Sequence, residues 1–509
     1  MKHLVTGKEM KLLDQNTSGF YKVPELVLME QAAMHFVWRL CDILSDKNLK
    51  KGIVFCGLGN NGADGIAIAR LLNERGIQTQ ICKIKDFLKE KKQTSESFSV
   101  QESIYDAYNY PVIRQLESLY SEDYDFVIDA VFGIGLSRTL NEEYVTILEM
   151  INRIDATKIA VDMPSGINAD NGQVMGTAVK CDYTITFSFG KIGQYLWPGF
   201  DYAGKTIIVD MGITAKSWLD KKPSYACLEE CDLQRLPKRC AHSNKGSYGK
   251  LLVVAGSKDM AGAAVFAAKA AYRCGVGLVK VFTHEDNRVI LQTSVPECIV
   301  STYGTKLQKE TLISELQWAD AVVVGPGLGQ SALAKELVAC IHASSSVPVV
   351  WDADALNIFA QDTNRFLLPH TEYIVTPHLG EFSRLTNNTV HWIQNHLFET
   401  AKDFARTYDV ICVLKDFHTV IASPFGLSYL NLSGNHGMAT GGSGDVLSGI
   451  IGALLAQGMN GEKAAAYGVY IHGLAGDKAR EKVSAHAMVA GDIIEALQEV
   501  WKGTEYAEY

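Results

Sequence analysis

The segment Asn435–Asp445 combines a glycine-dense turn with a carboxylate, immediately before the helix-like apolar run Val446–Leu455. Successive backbone N–H groups of such a turn, together with the free N–H groups of a helix N-terminus, form a cavity for an anion. Asp445 then lies in the first helical turn, where it can activate a hydroxyl for attack on a phosphoryl group. The segment by itself also allows a plainer interpretation, in which Asp445 caps a helix after a glycine-rich loop.

A second glycine-rich turn lies near the N-terminus, between a short apolar strand and a helix. Gly52–Cys56 predicts the strand, Gly57–Gly65 contains a formal G-x-G-x-x-G, and Ile66–Asn73 predicts the helix. Strand, glycine turn and helix in this order form a mononucleotide-type unit. A dehydrogenase needs an acidic residue at the end of the next strand to bind a ribose, and Gln78–Lys83 supplies none. The sequence therefore does not favour an ordinary NAD-dependent oxidoreductase.

Two aspartates, Asp129 and Asp162, end later predicted strands. Because ligands bind beyond the carboxyl ends of the strands in an open parallel sheet, we expect both aspartates and the loop Asn60–Asp64 to gather at one edge. A single carboxylate in such a place is usually a helix cap, whereas two of them beside an asparagine-rich loop favour a site. Asn61, Asp129 and Ser165 offer the hard oxygen ligands that a small cation prefers.

The composition is that of a globular protein long enough for two domains, or three. The 509 residues carry a net charge of −9, which gives no indication of binding to nucleic acid or to membranes. No apolar signal core and no membrane-length run is present, so we expect a cytoplasmic location. Cys227, Cys231, Cys240 and His242 lie close together in a spacing unlike familiar zinc patterns, and both a metal site and a plain linker stay open.

A second series of β-α units follows a polar junction at Lys221–Ser224. Its predicted strands end in four polar segments, which are Gly325–Gly329, Asp352–Asn357, Thr376–Glu381 and Lys415. Each is a weak signal alone, since an Asp at a strand end is common and a lone His is usually structural. Together with Asn435–Asp445 they gather at one sheet edge, which favours a nucleotide-dependent active site. The absence of a G-x-x-x-x-G-K-[ST] motif excludes a simple P-loop NTPase.

The N-terminal motifs resemble those of the NAD(P)H-hydrate epimerases, which form the first domain of bifunctional NAD(P)H-hydrate repair enzymes. The resemblance rests on Asn60–Gly65, Asp129–Gly135 and Asp162–Gly166 and covers residues 1–214. It implies a Rossmann-like three-layer αβα domain with a potassium ion at Asn61, Asp129 and Ser165. It also implies that Asp162 is the acid–base residue at the hydrated carbon. The implied contacts with the hydrated nucleotide are Asn60, Asn61, Gly62, Ala63, Asp64, Gly133, Ile134, Gly135, Leu136, Ser137, Arg138, Thr139 and Asp162.

The C-terminal motifs resemble the ribokinase-like superfamily, and specifically the ADP/ATP-dependent NAD(P)H-hydrate dehydratases, over residues 225–500. The matching segments are Lys245–Gly249, Gly325–Gly329, Asp352–Asn357, Thr376–Glu381 and Gly437–Asp445. The resemblance implies a ribokinase-like three-layer αβα domain that uses ADP, or ATP, as phosphoryl donor, with a magnesium ion. The implied hydrate contacts are Ala264, Gly327, His378 and the catalytic Asp445. The implied nucleotide site consists of Lys415, Asp416, Phe417, His418, Thr419, Gly441, Gly442, Ser443 and Gly444.

The sequence departs from both families at a few positions. Ala63 replaces a glycine that is usual in the epimerases. In the dehydratase part, Asp416–His418 stands where Gly-Ala is typical, and His436 and Leu379 replace prolines. The changes at Asp416–His418 and His436 could alter how the adenosine moiety binds, and Asp416 adds negative charge near the phosphates.

The sequence thus predicts a bifunctional enzyme of metabolite repair. We expect an epimerase-like domain at 1–214, a linker at 215–225, a dehydratase domain at 226–502 and a tail at 503–509. The first domain would interconvert the R and S hydrates of NADH and NADPH, and the second would phosphorylate the S hydrate and eliminate the phosphate. The alternative is an ATP-dependent kinase of a vitamin precursor with a non-catalytic, ligand-binding N-terminal domain. The expected partners are these small molecules and further copies of the chain in a homo-oligomer.

Overall fold

The computed structural model describes residues 1–45, 50–90, 92–116, 119, 123–368 and 371–505. The chain forms two compact units: the N-terminal unit, His3–Ser224, and the C-terminal unit, which is Met1–Lys2 with the chain from Tyr225 onward. Residues 506–509 of the predicted tail lie outside the described residues. Within the described ranges, no helix is long and apolar enough to cross a membrane.

The N-terminal unit is built on a parallel sheet with helices on both sides. Its strands are β1 (Lys2–Val5), β2 (Lys51–Cys56), β3 (Gln78–Lys83), β4 (Phe126–Ala130), β5 (Thr157–Val161), β6 (Tyr183–Phe187), β7 (Gly190–Lys191) and β8 (Lys205–Val209). Its helices are α1 (Gly7–Gly19), α2 (Glu25–Ile43), α3 (Asn60–Glu74), α4 (Glu96–Ala107), α5 (Glu142–Arg153) and α6 (Gly199–Ala203). The sheet order is β3-β2-β4-β5-β6-β8, and each of these pairs is parallel.

Two apolar cores cover the two faces of this sheet, because successive side chains of a strand point to opposite sides. In β2, Val54 and Cys56 pack in one core with α2, α3 and α4, whereas Ile53 and Phe55 pack in the other with α5. The unit therefore has three layers, helix–sheet–helix, as the sequence predicted. One local difference is that Asn60–Asp64, predicted as a loop, is the first turn of α3, since Gly59 already serves as the N-cap.

The C-terminal unit is a larger α/β unit. Its strands are β9 (Tyr225–Cys227), β10 (Lys250–Val254), β11 (Leu278–His284), β12 (Ile299–Tyr303), β13 (Ala321–Val324), β14 (Val349–Trp351), β15 (Tyr373–Val375), β16 (Ile411–Leu414), β17 (Val420–Ala422) and β18 (Ser428–Leu430). Its helices are α7 (Ala261–Arg273), α8 (Arg288–Ser294), α9 (Lys309–Trp318), α10 (Ala332–Ser344), α11 (Ala353–Phe359), α12 (Leu379–Thr386), α13 (Val390–Asn395), α14 (Leu397–Tyr408), α15 (Ser443–Ala456), α16 (Gly461–Val483) and α17 (Ala490–Glu505).

The strands of this unit follow the order β12-β11-β10-β13-β14-β15-β16-β17-β18-β9. The pairs from β12 to β16 are parallel, and β17 runs antiparallel to both of its neighbours. Helices α7, α15, α16 and α17 share one apolar core with β10, β11 and β13. The sequence left open whether the apolar face Ala464–Ile471 meets a partner subunit or its own chain. In the structure it is buried in this core.

Gly449 allows α15 to pack closely against α7. A Cβ at this position would lie 2.2 Å from the carbonyl oxygen of Ala267. We expect Gly449→Ala to lower the free energy of unfolding of the C-terminal unit by about 1–3 kcal/mol, because a backbone atom cannot move aside as the end of a flexible side chain can. Calorimetric unfolding of the full chain measures the effect as a lower Tm.

Gly262→Ala, in the first turn of α7, is the matched control. A Cβ there meets nothing within 4 Å, and Ala is favoured over Gly inside a helix by about 0.5–1 kcal/mol. We therefore expect the Tm of this variant to stay unchanged or rise. Equal losses of Tm in both variants would contradict the close packing of α15 on α7 as the cause.

Candidate active sites

A cavity of about 730 Å³ opens at the carboxyl ends of β2, β4 and β5 in the N-terminal unit. The predicted residues that line it are Asn60, Asn61, Asp64, Gly133, Ile134, Gly135, Leu136, Ser137, Arg138 and Asp162. Three predicted residues do not line it. Ala63 is fully buried in the core, Gly62 faces the Gly57 carbonyl, and Thr139 is exposed away from the lining. The parallel sheet therefore brings most of the predicted set to one edge.

Asp129 is fully buried at the end of β4 and is held by Ser165. The Ser165 hydroxyl donates to Asp129 Oδ1 at 2.5 Å, and the Ser165 N–H donates to Oδ2 at 2.7 Å. The Phe132 N–H in turn donates to Ser165 Oγ at 2.7 Å. Burial raises the pKa of Asp129 to about 6 despite these hydrogen bonds. The carboxylate is therefore ionised near neutral pH, and a bound cation would favour that form.

Asn61 adds a buried amide beside this pair. Its side chain lies against Gly133, next to Phe132 in the chain. Its Nδ2 is buried and has no hydrogen-bond partner among the described residues. Because the oxygen and nitrogen of an amide are assigned from their surroundings, the oxygen can equally take this position. A carboxylate, a hydroxyl and an amide oxygen are a donor set that fits potassium.

Asp162 lines the cavity and is held by Lys191, a residue that the sequence did not single out. Its Oδ1 accepts hydrogen bonds from Lys191 Nζ, from Thr186 Oγ1 at 3.0 Å and from the Phe187 N–H at 3.2 Å. The Lys191 side chain is completely buried, whereas the Asp162 side chain is 11% exposed. Burial lowers the pKa of Lys191, and the carboxylate of Asp162 opposes that shift. The cavity thus contains a buried ion pair at its candidate acid–base residue.

Two further carboxyl groups, those of Asp64 and Asp14, share this cavity. Burial, and then the charge of Asp162, raise the pKa of Asp64 well above its ordinary value. Burial also raises the pKa of Asp14, together with the charges of Glu25 and Asp162. Neighbouring carboxyl groups that differ in their tendency to ionise can serve as separate acid and base candidates.

In the C-terminal unit, Asp445 lies in the first turn of α15. None of the described residues donates a hydrogen bond to its carboxylate, so the group is available to a ligand. Burial and the carboxylates of Asp352 and Asp354 raise the pKa of Asp445 to about 7, against the opposing charge of Lys415. A carboxyl group that titrates near neutral pH is suited to general-base catalysis.

Asp352, at the end of β14, forms hydrogen bonds with residues that follow β15 and β16 and with a residue of α15, the helix that carries Asp445. Its Oδ1 accepts hydrogen bonds from Thr376 Oγ1 at 2.7 Å and from Lys415 Nζ at 3.1 Å. Its Oδ2 accepts one from Ser448 Oγ at 2.5 Å. Burial would lower the pKa of Lys415, but the surrounding carboxylates, Asp352 first, raise it. Lys415 is therefore a charged ammonium at the start of α15, 3.4 Å from the place of a Cβ on Gly444.

The glycine turn leaves the N-terminus of α15 open. No side chain caps this helix, and its N-cap Gly442 has φ +90°, a conformation that favours glycine. The first N–H groups of α15 can therefore receive an anion. Two residues of helix α16 contact the glycine turn. His472 Nε2 lies 3.3 Å from Ser443 Oγ, and Asp477 accepts a hydrogen bond from Asn435 at 3.0 Å. Burial lowers the pKa of His472 to about 4, so it is neutral.

The other predicted hydrate contacts differ in their exposure. His378 caps α12, with its Nδ1 accepting the Gly380 N–H at 2.9 Å, and its backbone pairs with that of Lys415. Gly327 lies close to Ala263, since a Cβ on Gly327 would be 2.9 Å from the Ala263 Cβ. Ala264 is fully buried in the core of the unit, so any contact with a ligand involves its backbone and not its methyl group.

The departure from the dehydratase pattern at Asp416–His418 lies shortly after β16. Phe417 is exposed, and its ring is 4.5 Å from that of His418. Burial raises the pKa of Asp416, which reduces the negative charge that this residue brings to the site. The Thr419 carbonyl accepts the Asn431 N–H at 2.9 Å. The described residues, Cys227, Cys231, Cys240 and His242 included, contain no group of three or more His, Cys, Asp or Glu suited to a metal ion.

Known proteins match both units. Residues 251–499 match the family described as NAD(P)H-hydrate dehydratase, and residues 25–193 match the YjeF-related protein N-terminus. The bifunctional NAD(P)H-hydrate repair enzyme Nnr of Moorella thermoacetica is 35% identical over 99% of this chain and 97% of its own. The chain belongs to the bifunctional NAD(P)H-hydrate repair enzymes.

Two further comparisons agree with this membership. The Escherichia coli repair enzyme of the same name is 34% identical over 88% of this chain and 84% of its own. A solved ribokinase-like superfamily protein from Enterococcus faecalis is 27% identical and covers 56% of this chain and 98% of that chain, with a TM-score of 0.51. The family resemblance and the predicted fold class are therefore both confirmed.

Sequence reasoning missed two groups of residues in this repair enzyme. Lys191 is the last residue of the short strand β7 and carried no motif, and its partner Asp162 is 29 residues away. Asp352 stood in a matched segment but received no role, and Thr376 and Ser448 were not considered as its partners. A polar residue at the end of each buried strand was the available signal for Asp352. No comparable signal existed for Lys191.

Proposed function

We propose that this repair enzyme returns hydrated NADH and NADPH to their usable forms, with one activity in each unit. The N-terminal unit epimerises the R and S hydrates. The C-terminal unit dehydrates the S hydrate with ADP, or ATP, as phosphoryl donor. The observation that carries the second activity is Asp445, an unpaired and half-buried carboxylate at the uncapped start of α15, beside the ammonium of Lys415.

The dehydration requires a kinase-like pocket because hydroxide is a poor leaving group. Asp445 accepts the proton of the substrate hydroxyl while the hydroxyl oxygen attacks the terminal phosphorus of the nucleotide. The bond from that phosphorus to the rest of the nucleotide breaks, which releases AMP from ADP or ADP from ATP. The N–H groups of Gly441–Gly444 and the Lys415 ammonium stabilise the charge on the transferring phosphoryl group. The phosphate then leaves with the C–O bonding electrons, and a proton lost from the neighbouring carbon completes the double bond. A magnesium ion bound with the nucleotide would neutralise phosphate charge.

The epimerisation takes place in the cavity around Asp162. Asp162 acts as the acid–base residue at the hydrated carbon, and Asn60, Asn61, Asp64 and Gly133–Arg138 bind the nucleotide. Asn61, Asp129 and Ser165 would hold a potassium ion, whose charge would attract the anionic parts of the ligand. The buried donor set of these three residues supports that proposal.

The predicted domain boundaries, 1–214, 215–225, 226–502 and 503–509, remain part of this proposal, as does a homo-oligomeric assembly. The cytoplasmic location stays a prediction.

The deciding experiment incubates the purified full chain with a mixture of R and S NADH hydrates and either ADP or ATP. We expect NADH absorbance to recover from both epimers with at least one nucleotide, and not without nucleotide. Recovery from the S hydrate alone would contradict the epimerase. Failure with both nucleotides would favour the vitamin-precursor kinase, because the ribokinase-like pocket would then act on another hydroxyl.

The dehydration should also depend on pH through Asp445. Its pKa of about 7 means that the proton-accepting form is lost as the pH falls through 7. We expect kcat/KM for the S hydrate to fall about tenfold per pH unit below this value, since kcat/KM reports the ionisation of the free enzyme. A profile that stays flat down to pH 5 would contradict Asp445 as the base.

A further inference from the structure

Lys191 is a fully buried lysine whose hydrogen-bond donors all point to the surroundings of Asp162. Its Nζ donates to Asp162 Oδ1, to Thr186 Oγ1 at 2.9 Å and to the Phe187 carbonyl oxygen at 3.0 Å. Three acceptors match the three N–H donors of an ammonium group. The arrangement is therefore that of a charged lysine.

The carboxylate of Asp162 is bound through one oxygen. Oδ1 accepts from Lys191, from Thr186 Oγ1 at 3.0 Å and from the Phe187 N–H at 3.2 Å. No described residue donates a hydrogen bond to Oδ2, and Asp162 lines the 730 Å³ cavity. One oxygen thus fixes the orientation of the carboxylate, and the other stays available to a ligand.

The backbone of Asp162 is held by the same segment. Asp162 has φ +67°, a left-handed conformation that is unfavourable for a residue with a Cβ. Its carbonyl oxygen accepts a hydrogen bond from Gln194 Nε2 at 2.6 Å, and Gln194 Oε1 accepts the Lys191 N–H at 2.9 Å. Lys191 and Gln194 therefore hold the side chain and the backbone of Asp162 together.

The charged groups around Asp162 come from several elements. Asp14 of α1 and Asp64 of α3 share its cavity, and Lys11 and Arg138 also line it. Two neighbouring carboxyl groups oppose the ionisation of a third, whereas an ammonium in direct contact favours it. Among the described residues, Lys191 is the cation that forms an ion pair with Asp162.

We propose that Lys191 is a positioning residue for epimerisation, which holds Asp162 Oδ1 through its ammonium group and directs Oδ2 into the cavity. This inference rests on the proposed epimerase function of the N-terminal unit. A buried ion pair can also be purely structural. A structural pair would affect stability, whereas a positioning pair also sets the pH dependence of the reaction.

The test measures conversion of the R to the S hydrate by the full chain without nucleotide, across a range of pH. We expect Lys191→Met and Lys191→Gln to move the acid limb of the kcat profile to higher pH by about 1–3 units, because the ionised carboxylate loses its cationic contact. The Gln variant retains a hydrogen-bond donor without the charge, so it separates charge from bonding. Lys191→Arg should keep the limb in its original place.

Lys83→Met is the matched control for the loss of a buried lysine. Lys83, at the end of β3, pairs with Glu102 Oε1 at 2.8 Å and lies outside the cavity lining. We expect it to lower the Tm without moving the pH profile. An unmoved acid limb in active, folded Lys191→Met or Lys191→Gln would overturn the inference. A wild-type chain without epimerisation would instead overturn the proposed function.

Discussion

Replacing Asp445 with Asn is expected to lower the dehydration of the S hydrate by about 10²–10⁴-fold while leaving epimerisation unchanged, since loss of a general base has effects of that size. The amide has nearly the same shape as the carboxylate but cannot accept the hydroxyl proton. Recovery of NADH absorbance from the pure S hydrate with ADP or ATP measures the first activity. Chromatographic conversion of the R hydrate without nucleotide measures the second.

The fold should tolerate Asp445→Asn. The carboxylate is half-buried near Asp352, and this partial burial raises its pKa to about 7, so the ionised form is already disfavoured in the folded state. A neutral amide removes that repulsion, and we expect the Tm to stay unchanged or rise slightly. Full dehydratase activity in the variant would contradict the assignment of Asp445 as the base, and a loss of both activities would indicate a folding defect.

The opposite pattern is expected for Asp162→Asn, which should lower epimerisation by about 10²–10⁴-fold and spare dehydration of the S hydrate. The amide cannot act as an acid or a base at the hydrated carbon. When the variant is given the R hydrate and nucleotide, NADH should be recovered slowly. When it is given the S hydrate and nucleotide, NADH should be recovered at the wild-type rate. Retained epimerisation would show that another group in the cavity moves the proton.

A single substitution of Asp162 also leaves Lys191 charged, buried and unpaired, which can cost about 3–5 kcal/mol. The double variant Asp162→Asn/Lys191→Met removes both charges and avoids this penalty. We expect it to regain thermal stability but not epimerisation. If the double variant regains epimerisation as well, the loss in the single variant was a folding effect.

The chain order predicted the general location of both sites because the fold is made of parallel β-α units. In such units every strand ends at the same edge of its sheet, so polar residues that follow buried strands meet without further information. Asp129 and Asp162 lie at the ends of β4 and β5, and Asp352 lies at the end of β14. Local pattern also predicted the open N-terminus of α15, since the N-cap of this helix, Gly442, has no side chain that could cap it.

Local pattern could not predict the contacts between distant segments. The carboxylate of Asp352 meets Lys415 63 residues later and Ser448 96 residues later. Such pairs depend on the order of strands in the sheet and on the position along α7 at which α15 packs against it. The raised pKa of Asp445 follows from that packing, because burial and the neighbouring Asp352 cause it.

The sequence by itself determined the family, the α/β class and the residue types available for chemistry at each sheet edge. Only the tertiary structure decided which of those groups act on one another: that Lys191 binds Asp162 Oδ1 and leaves Oδ2 open, and that Asp352 holds Lys415 beside Asp445. The physical reason is that motifs are short-range properties of the chain. Ionisation depends on burial and on charges a few ångströms away, which are set once the sheets and helices have packed.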